Sequence, residues 1–143
     1  MNAKNESRSP CPISNVLDWL GDKWSLLIVR DVLFYGKHEY KEFLASPESI
    51  ATNILADRLK KLTACGVLGE LTHPENKSRK LYYVTESGKA LLPILGEMVL
   101  WADAYMPPNE IIKQLAVSIK ANPAAVKARM LAATSEWEAK YLP

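Results

Sequence analysis

The sequence predicts a mainly α-helical fold with one small β-hairpin. Apolar residues recur at helical spacing over most of the 143 residues, a period-two pattern occurs only between about residues 67 and 85, and glycine or proline follows most helical runs. These three observations also set the order of the elements.

After a polar arm, Ile13, Val16, Leu17 and Leu20 recur at helical spacing and Gly21 offers a stop, which predicts a short first helix. "DKWSLLIVRDVLFYG" follows, with Asp22 as N-cap, a dense apolar run through Leu27, Ile28, Val32 and Leu33, and Gly36 at its end. Such a run belongs in the middle of a core. "EYKEFLAS" reads as a third short helix ended by Pro47, and "ESIATNILADRLKKLTACG" as a fourth ended by Gly66. "VLGELTH" and "KLYYVT" are β-type runs joined by the polar stretch "PENKSR", a hairpin with a basic tip. Thr85 then caps one long helix, "ESGKALLPILGEMVLWADAYM", so apolar around its circumference that one face must be buried beyond the domain's own core. Pro93 bends this helix or sits in its first turns. "PPN" at 107 to 109 breaks the chain, and two more helical patterns cover about 110–120 and, with Asn122 and Pro123 as N-cap and first helical residue, about 123–140. The predicted organisation is a flexible N-terminal arm over residues 1–10, a main domain over 11–106 and a C-terminal helical extension over 107–143.

Hydrophobic residues make up 48% of the chain, enough for a real core without staples. Cys11 and Cys65 lie far apart and outside any CxxC or Cys/His cluster, which argues against a zinc site or a disulfide framework. Reduced thiols in a cytoplasmic protein, with no cofactor and no metal, are the expectation. "MNAKNESRSP" has no apolar stretch behind its charges, and no window approaches the roughly 18 apolar residues that span a bilayer, so neither secretion nor a membrane partner is expected. Charge is distributed unevenly. Residues 1–106 carry 13 Lys+Arg against 13 Asp+Glu, while residues 49–80 carry 6 against 3, a local net of +3. A neutral domain with one basic segment has a directed electrostatic face.

Three helices leading into a hairpin is the order of a winged helix-turn-helix, in which the last helix of the trihelical core enters the DNA major groove and the hairpin tip reaches the adjacent backbone. The fourth helix takes that part here. At about 100° per residue, Leu55, Leu59 and Leu62 fall on one face and Thr52, Asn53, Ala56, Asp57 and Lys60 on the other. Asn and Thr read base edges, Ala56 permits close approach, Lys60 and Lys61 suit phosphates, and Asp57 either accepts from cytosine or orients a neighbour. Arg58 projects near the apolar edge, where it needs an ion pair or a phosphate reached from the flank. Lys77, Arg79 and Lys80 cluster in the hairpin as a phosphate or minor-groove reader.

"CPISNVLDWLGDKWSLLIVRDVL", "YKEFLASPESIATNILADRLKKLTACGVL" and "KLYYVTESGKALLPILGEMVLWA" resemble the HxlR-type transcriptional regulators, relatives of the MarR group. The resemblance runs in order from Cys11 to about Trp101. It implies a homodimeric bacterial regulator on a pseudo-palindromic operator, with Thr52, Asn53, Asp57 and Arg58 in the recognition helix and Lys77, Arg79 and Lys80 in the wing. It further implies that Lys23 and Trp24 match a Lys-Trp pair near DNA at the start of the second helix. Three departures stand out: Ala51 replaces a usual Ser, so that the fourth helix needs its cap from Ser49 or elsewhere; Pro47-Glu48 brings an acidic residue toward the groove; and residues 107–143 exceed the usual length.

Cys11 matches a cysteine that senses oxidants or electrophiles in some members of that family. A thiol at a helix N-terminus can be activated, whereas Asp18 and Asp22 nearby in sequence oppose this, so redox sensing and inert packing both stand as readings. Cys65 reads as a partly buried residue at a helix end. His38 and His73 belong to no catalytic motif, and both are placed to contact phosphate or face water. Dimerisation is expected of Leu91, Leu92, Leu95, Met98, Val99 and Trp101, with the tail wrapping a partner or lining a cleft for a small-molecule or electrophile effector. The expected function is a DNA-binding transcriptional regulator and not an enzyme; the alternative is a protein-interaction module that keeps the winged fold without specific DNA binding.

Overall fold

The computed structural model describes residues 7–143, which fall into two compact units, one ending at Gly88 and the other covering Lys89–Pro143. In the first unit α1 (Pro12–Leu20), α2 (Ser25–Tyr35), α3 (Tyr40–Leu44) and α4 (Thr52–Ala64) precede the strands β1 (Leu68–His73) and β2 (Asn76–Val84), and α5 (Glu86–Lys89) stands at its end. The strands form one antiparallel hairpin in which Leu68 pairs with Val84 and Thr72 with Lys80. This is the mainly helical, winged arrangement expected from the sequence.

The core forms because each element is apolar along one side only. Ile28, Val29, Val32 and Leu33 of α2 are buried, as are Phe43 of α3, Leu55, Leu59 and Leu62 of α4, and Val67, Leu68, Leu81 and Val84 around the hairpin. The Phe43 ring meets Tyr82 edge-on, 6.3 Å between centroids, which seats β2 against α3. Glycine stops the helices where the backbone must turn left-handed: Gly36 has φ 62° and Gly66 has φ 80°. After α4 the Val67 N–H returns to the Leu62 carbonyl at 3.0 Å and Gly66 N–H to Thr63 at 3.2 Å, a Schellman closure that launches β1.

One polar cluster lies in this core. Asp31 is 2% exposed; it accepts from Arg30 Nη2 at 2.7 Å and from the buried Ser46 hydroxyl at 2.6 Å. Arg30 extends to Glu48 through two hydrogen bonds of 2.8 Å, and Lys37 Nζ donates to Ser46 Oγ at 2.6 Å. The pair with Glu48 raises the Arg30 pKa and lowers that of Glu48, with burial opposing both. The acidic residue expected to approach the groove is thus held against α2.

Four local expectations are corrected. β2 begins at Asn76, so most of "PENKSR" is strand and only Pro74 and Glu75 lie between β1 and β2. Ser49 does not cap α4: it adopts φ 60° in the preceding turn, and Ala51 at the N-cap offers no side-chain acceptor. The long helix after Thr85 is two helices, because Pro93 lacks the N–H that would bond to Lys89 and its ring crowds that carbonyl. Thr85 does cap the first of them, accepting from Gly88 N–H at 3.3 Å. Finally, His38 does not face water. It is buried, its Nδ1 donates to the Tyr82 carbonyl at 2.7 Å, and burial lowers its pKa below 6.5 despite that bond and the charge of Glu42.

The second unit holds α6 (Leu92–Tyr105), α7 (Glu110–Ala121) and α8 (Pro123–Tyr141). Asn109 and Asn122 cap the last two, accepting from Ile112 N–H at 2.8 Å and Ala125 N–H at 3.0 Å. Lys120 reaches Asp103 and Lys89 reaches Glu138, both at 2.8 Å. Among the described residues no helix is long and apolar enough to cross a membrane.

Removing one member of the Asp31 cluster leaves buried partners unmatched. Asp31→Ala is expected to lower the unfolding free energy by about 3 kcal/mol in urea titrations, with an unchanged denaturant slope. A loss below about 1 kcal/mol would show the cluster to be dispensable.

Candidate nucleic-acid interface

α4 positions the candidate recognition residues. Its three leucines are at most 2% exposed, which fixes the rotation of the helix and turns Thr52, Asn53, Ala56, Asp57 and Lys60 to the surface. Lys61 is half-buried. The Thr52 carbonyl accepts from the Tyr40 hydroxyl at 2.9 Å, which ties the start of α4 to α3.

Asp22 joins the start of α2 to the middle of α4. Its Oδ2 accepts from Trp24 N–H at 3.0 Å, Ser25 N–H at 2.9 Å and Arg58 Nε at 2.9 Å, while Oδ1 accepts from Ser25 Oγ at 2.6 Å. Burial penalises the carboxylate, yet the Ser25 hydroxyl, Arg58 and the two backbone donors together outweigh it and hold the pKa at about 2. Arg58 also donates to Asp57, so the guanidinium lies between two carboxylates. Lys23, exposed beside this cap, stands 5.0 Å from the centroid of the Trp24 ring. Asp22 was legible in the sequence only as a cap; its link to Arg58 spans 36 positions, and no local pattern announces it.

The wing carries its cations along a strand rather than at a tip. Arg79 is paired with Glu39, the N-cap residue of α3, and Lys80 with Glu70 across the hairpin at 3.1 Å. Lys77 is exposed and engages no carboxylate among the described residues. Between α3 and β2, Glu39, Tyr40, Lys41, Ser78, Arg79, Lys80 and Tyr82 line an open groove of about 480 Å³. Tyr40 and Lys41 were not among the expected site residues; the signal was the Glu39/Glu42 capping box, which fixes both ends of that turn and leaves Tyr40 and Lys41 outward.

Cys11 is exposed at the N-cap of α1, in extended conformation before Pro12, and Cys65 is half-buried at the C-cap of α4; both are free thiols. Asp18 is bound by Arg8 at 2.5 Å, so both carboxylates near Cys11 in sequence are engaged by arginines. Among the described residues no three His, Cys, Asp or Glu side chains gather as a metal site. Of the expected dimerisation residues, Leu91, Leu92 and Leu95 are buried within the chain itself and have little side chain to offer a partner. The exposed stripe of α6 is instead Ile94, Met98, Trp101 and Tyr105, the last two with ring centroids 5.3 Å apart. On α1, Ile13, Val16 and Leu17 are exposed as well.

A trihelical core followed by a two-stranded wing, with a polar helix face turned outward, defines a winged helix-turn-helix. Residues 19–110 match the HxlR-like helix-turn-helix family, and the chain belongs to it. It is a transcriptional regulator of HxlR type. It is 36% identical to the HTH-type transcriptional regulator YvaP of Bacillus subtilis over 69% of this chain and 92% of that one. To the HTH-type transcriptional regulator YodB of the same organism it is 32% identical, over 71% and 91%. The reduced form of YodB superposes with a TM-score of 0.57 over 71% of this chain and all of that one, at 31% identity, and YodB has also been solved diamide-treated and quinone-bound. The crystal structure of PA1607 superposes with a TM-score of 0.64 at 38% identity, covering 73% of this chain and 71% of that one.

A carboxylate whose pKa is depressed on folding adds stability that is present above its unfolded value near 3.8 and is lost as pH falls through about 2. Asp22→Ala is expected to be less stable than the parent at neutral pH by about 1–2 kcal/mol. The two unfolding curves should converge as the pH approaches 2. A constant gap across that window would mean that the ionised carboxylate is not what stabilises the cap.

Proposed function

We propose that the chain binds operator DNA as a homodimer, with α4 in the major groove and the wing on the flanking backbone. The observation that carries this reading is the outward polar face of α4, on which Asn53 and Asp57 stand one turn apart. Thr52 and Asn53 are assigned to base edges, Ala56 to close apolar contact, and Lys60, Lys61, Lys23, Lys77, Arg79 and Lys80 to phosphates, with Trp24 supporting Lys23. Because Glu39 and Glu70 already engage Arg79 and Lys80, Lys77 is the wing cation most ready to meet a phosphate. Residues 11–106 are proposed as the operative DNA-binding and dimerisation region, with Met98, Trp101 and, less exposed, Val99 of α6 facing the partner, and residues 107–143 as an extension that supports the dimer. The reading involves no catalysed reaction and places the protein in the cytoplasm.

We further propose that Cys11 is the sensing thiol. It is accessible, sits at a helix start, and belongs to a chain similar to a regulator solved in reduced, diamide-treated and quinone-bound forms. An adduct there would shift one recognition helix against its twin while leaving each core intact.

Selection from a random DNA pool is expected to return an inverted repeat with half-sites one helical turn or a multiple apart. Asn53→Ala should relax preference at one position per half-site by about 1–3 kcal/mol, whereas Lys77→Ala should weaken all sequences alike and flatten the salt dependence. Unchanged discrimination in the Asn53 variant would assign recognition to another face. For the thiol, a quinone is expected to change operator affinity in the parent and in Cys65→Ser but not in Cys11→Ser. An equal response from Cys11→Ser would return Cys11 to packing.

A further inference from the structure

Asp57 is an anomaly on a surface meant for DNA. It is an anion with a side chain 65% exposed, one turn beyond Asn53 on the outward face of α4, where phosphates would repel it. An ionised carboxylate only accepts hydrogen bonds, and of the two base amines that donate in the major groove, cytosine N4 suits it better, because adenine N6 stands beside the N7 acceptor that repels an anion. To read that amine it must be held in one orientation. The structure supplies the hold: Arg58 donates to Asp57 Oδ2 through Nη1, and its Nε donates at 2.9 Å to Asp22, which is itself fixed by the backbone at the start of α2. The guanidinium is 25% exposed and Asp22 18%, so the anchored side of this chain of charges is the more buried one. The planar fork of arginine suits such a bridge, because its donors leave in fixed directions toward two acceptors. Among the described residues Arg58 engages Asp57 only through Oδ2, which leaves Oδ1 for a donor from DNA.

We propose that Arg58 is a positioning residue rather than a phosphate contact, and that the Asp22–Arg58–Asp57 bridge directs Asp57 to a cytosine amine in each half-site. The inference rests on the proposed docking of α4 in the major groove. It adds a specificity-determining residue at one base pair and, of the two roles the sequence leaves open for Arg58, assigns the ion pair rather than the phosphate contact. Two charges of the bridge are carboxylates and one is a guanidinium, so it adds no net attraction to DNA; its contribution is discrimination.

The test measures affinity for the selected operator and for its single-base-pair variants, at several salt concentrations, with the full-length protein. Asp57→Asn is expected to lose preference for C·G at one position by roughly 10- to 100-fold. Arg58→Gln should lose preference at that same position, the double variant should lose no more than the larger single effect, and the salt slope of Arg58→Gln should equal the parent's. Arg58→Lys separates the readings if the Gln variant is poorly folded: a phosphate contact survives in lysine, whereas a two-acceptor fork does not, so the base preference should fall while affinity for scrambled DNA is retained. The proposal is overturned if Arg58→Gln weakens all sequences alike and reduces the salt slope by about one, if Arg58→Lys keeps the full preference, or if Asp57→Asn changes no position. A parent that binds operator and scrambled DNA equally would instead remove the major-groove reading itself, and this inference with it.

Discussion

The orientation of one helix governs the rest of the molecule. Leu55, Leu59 and Leu62 are buried against the core, and a helix with 3.6 residues per turn cannot bury that row without turning the opposite row to solvent. The base contacts proposed for α4 follow from this rotation. A slip of α4 by one residue would rotate its face by about 100°, bringing polar side chains into the core at a cost of several kcal/mol. Packing in the interior therefore sets which chemical groups face outward, and no separate device is needed to aim them.

Charged bridges then refine what packing sets. Glu39 meets Arg79 and so joins α3 to β2, Asp22 meets Arg58 and joins α2 to α4, and Arg30 with Glu48 joins α2 to the turn between α3 and α4. Each links elements that are distant in sequence. Partly buried pairs of this kind also restrict how the elements slide against one another. For a surface that must match the rigid spacing of a duplex, that restriction matters more than the energy.

Much of this was legible in the sequence because it is periodic or punctuated. The leucine row of α4, the stops at Gly36 and Gly66, and the asparagine cap at 122 are local signals, and the structure has each of them. What escaped was non-local. Nothing around Arg79 announces Glu39, which lies 40 positions earlier, and nothing around His38 announces the Tyr82 carbonyl that accepts from its ring. The basic wing consequently read as a free tip when two of its cations are already occupied. Pro93 shows a different limit. Bending a helix and dividing it begin with the same missing hydrogen bond, and the flanking residues decide between them. The apolar character of α6 was also plain, yet periodicity alone did not separate Leu91, Leu92 and Leu95, which serve the interior, from Met98 and Trp101, which do not.

The cluster of Arg30, Asp31, Lys37, Ser46 and Glu48 has a consequence for how this sequence can change over time. Losing Arg30, Asp31 or Ser46 strands a buried neighbour, whereas an apolar set of similar volume in place of the buried members would be tolerated and could even be more stable. The effects of substitutions within the set are therefore strongly non-additive. Substitutions on the exposed helices can be made one at a time, whereas Arg30 and the buried Asp31 and Ser46 are best exchanged together, along a path whose intermediates fold poorly. The cluster acts as a ratchet on the lineage: once assembled, it is easier to keep whole than to dismantle stepwise.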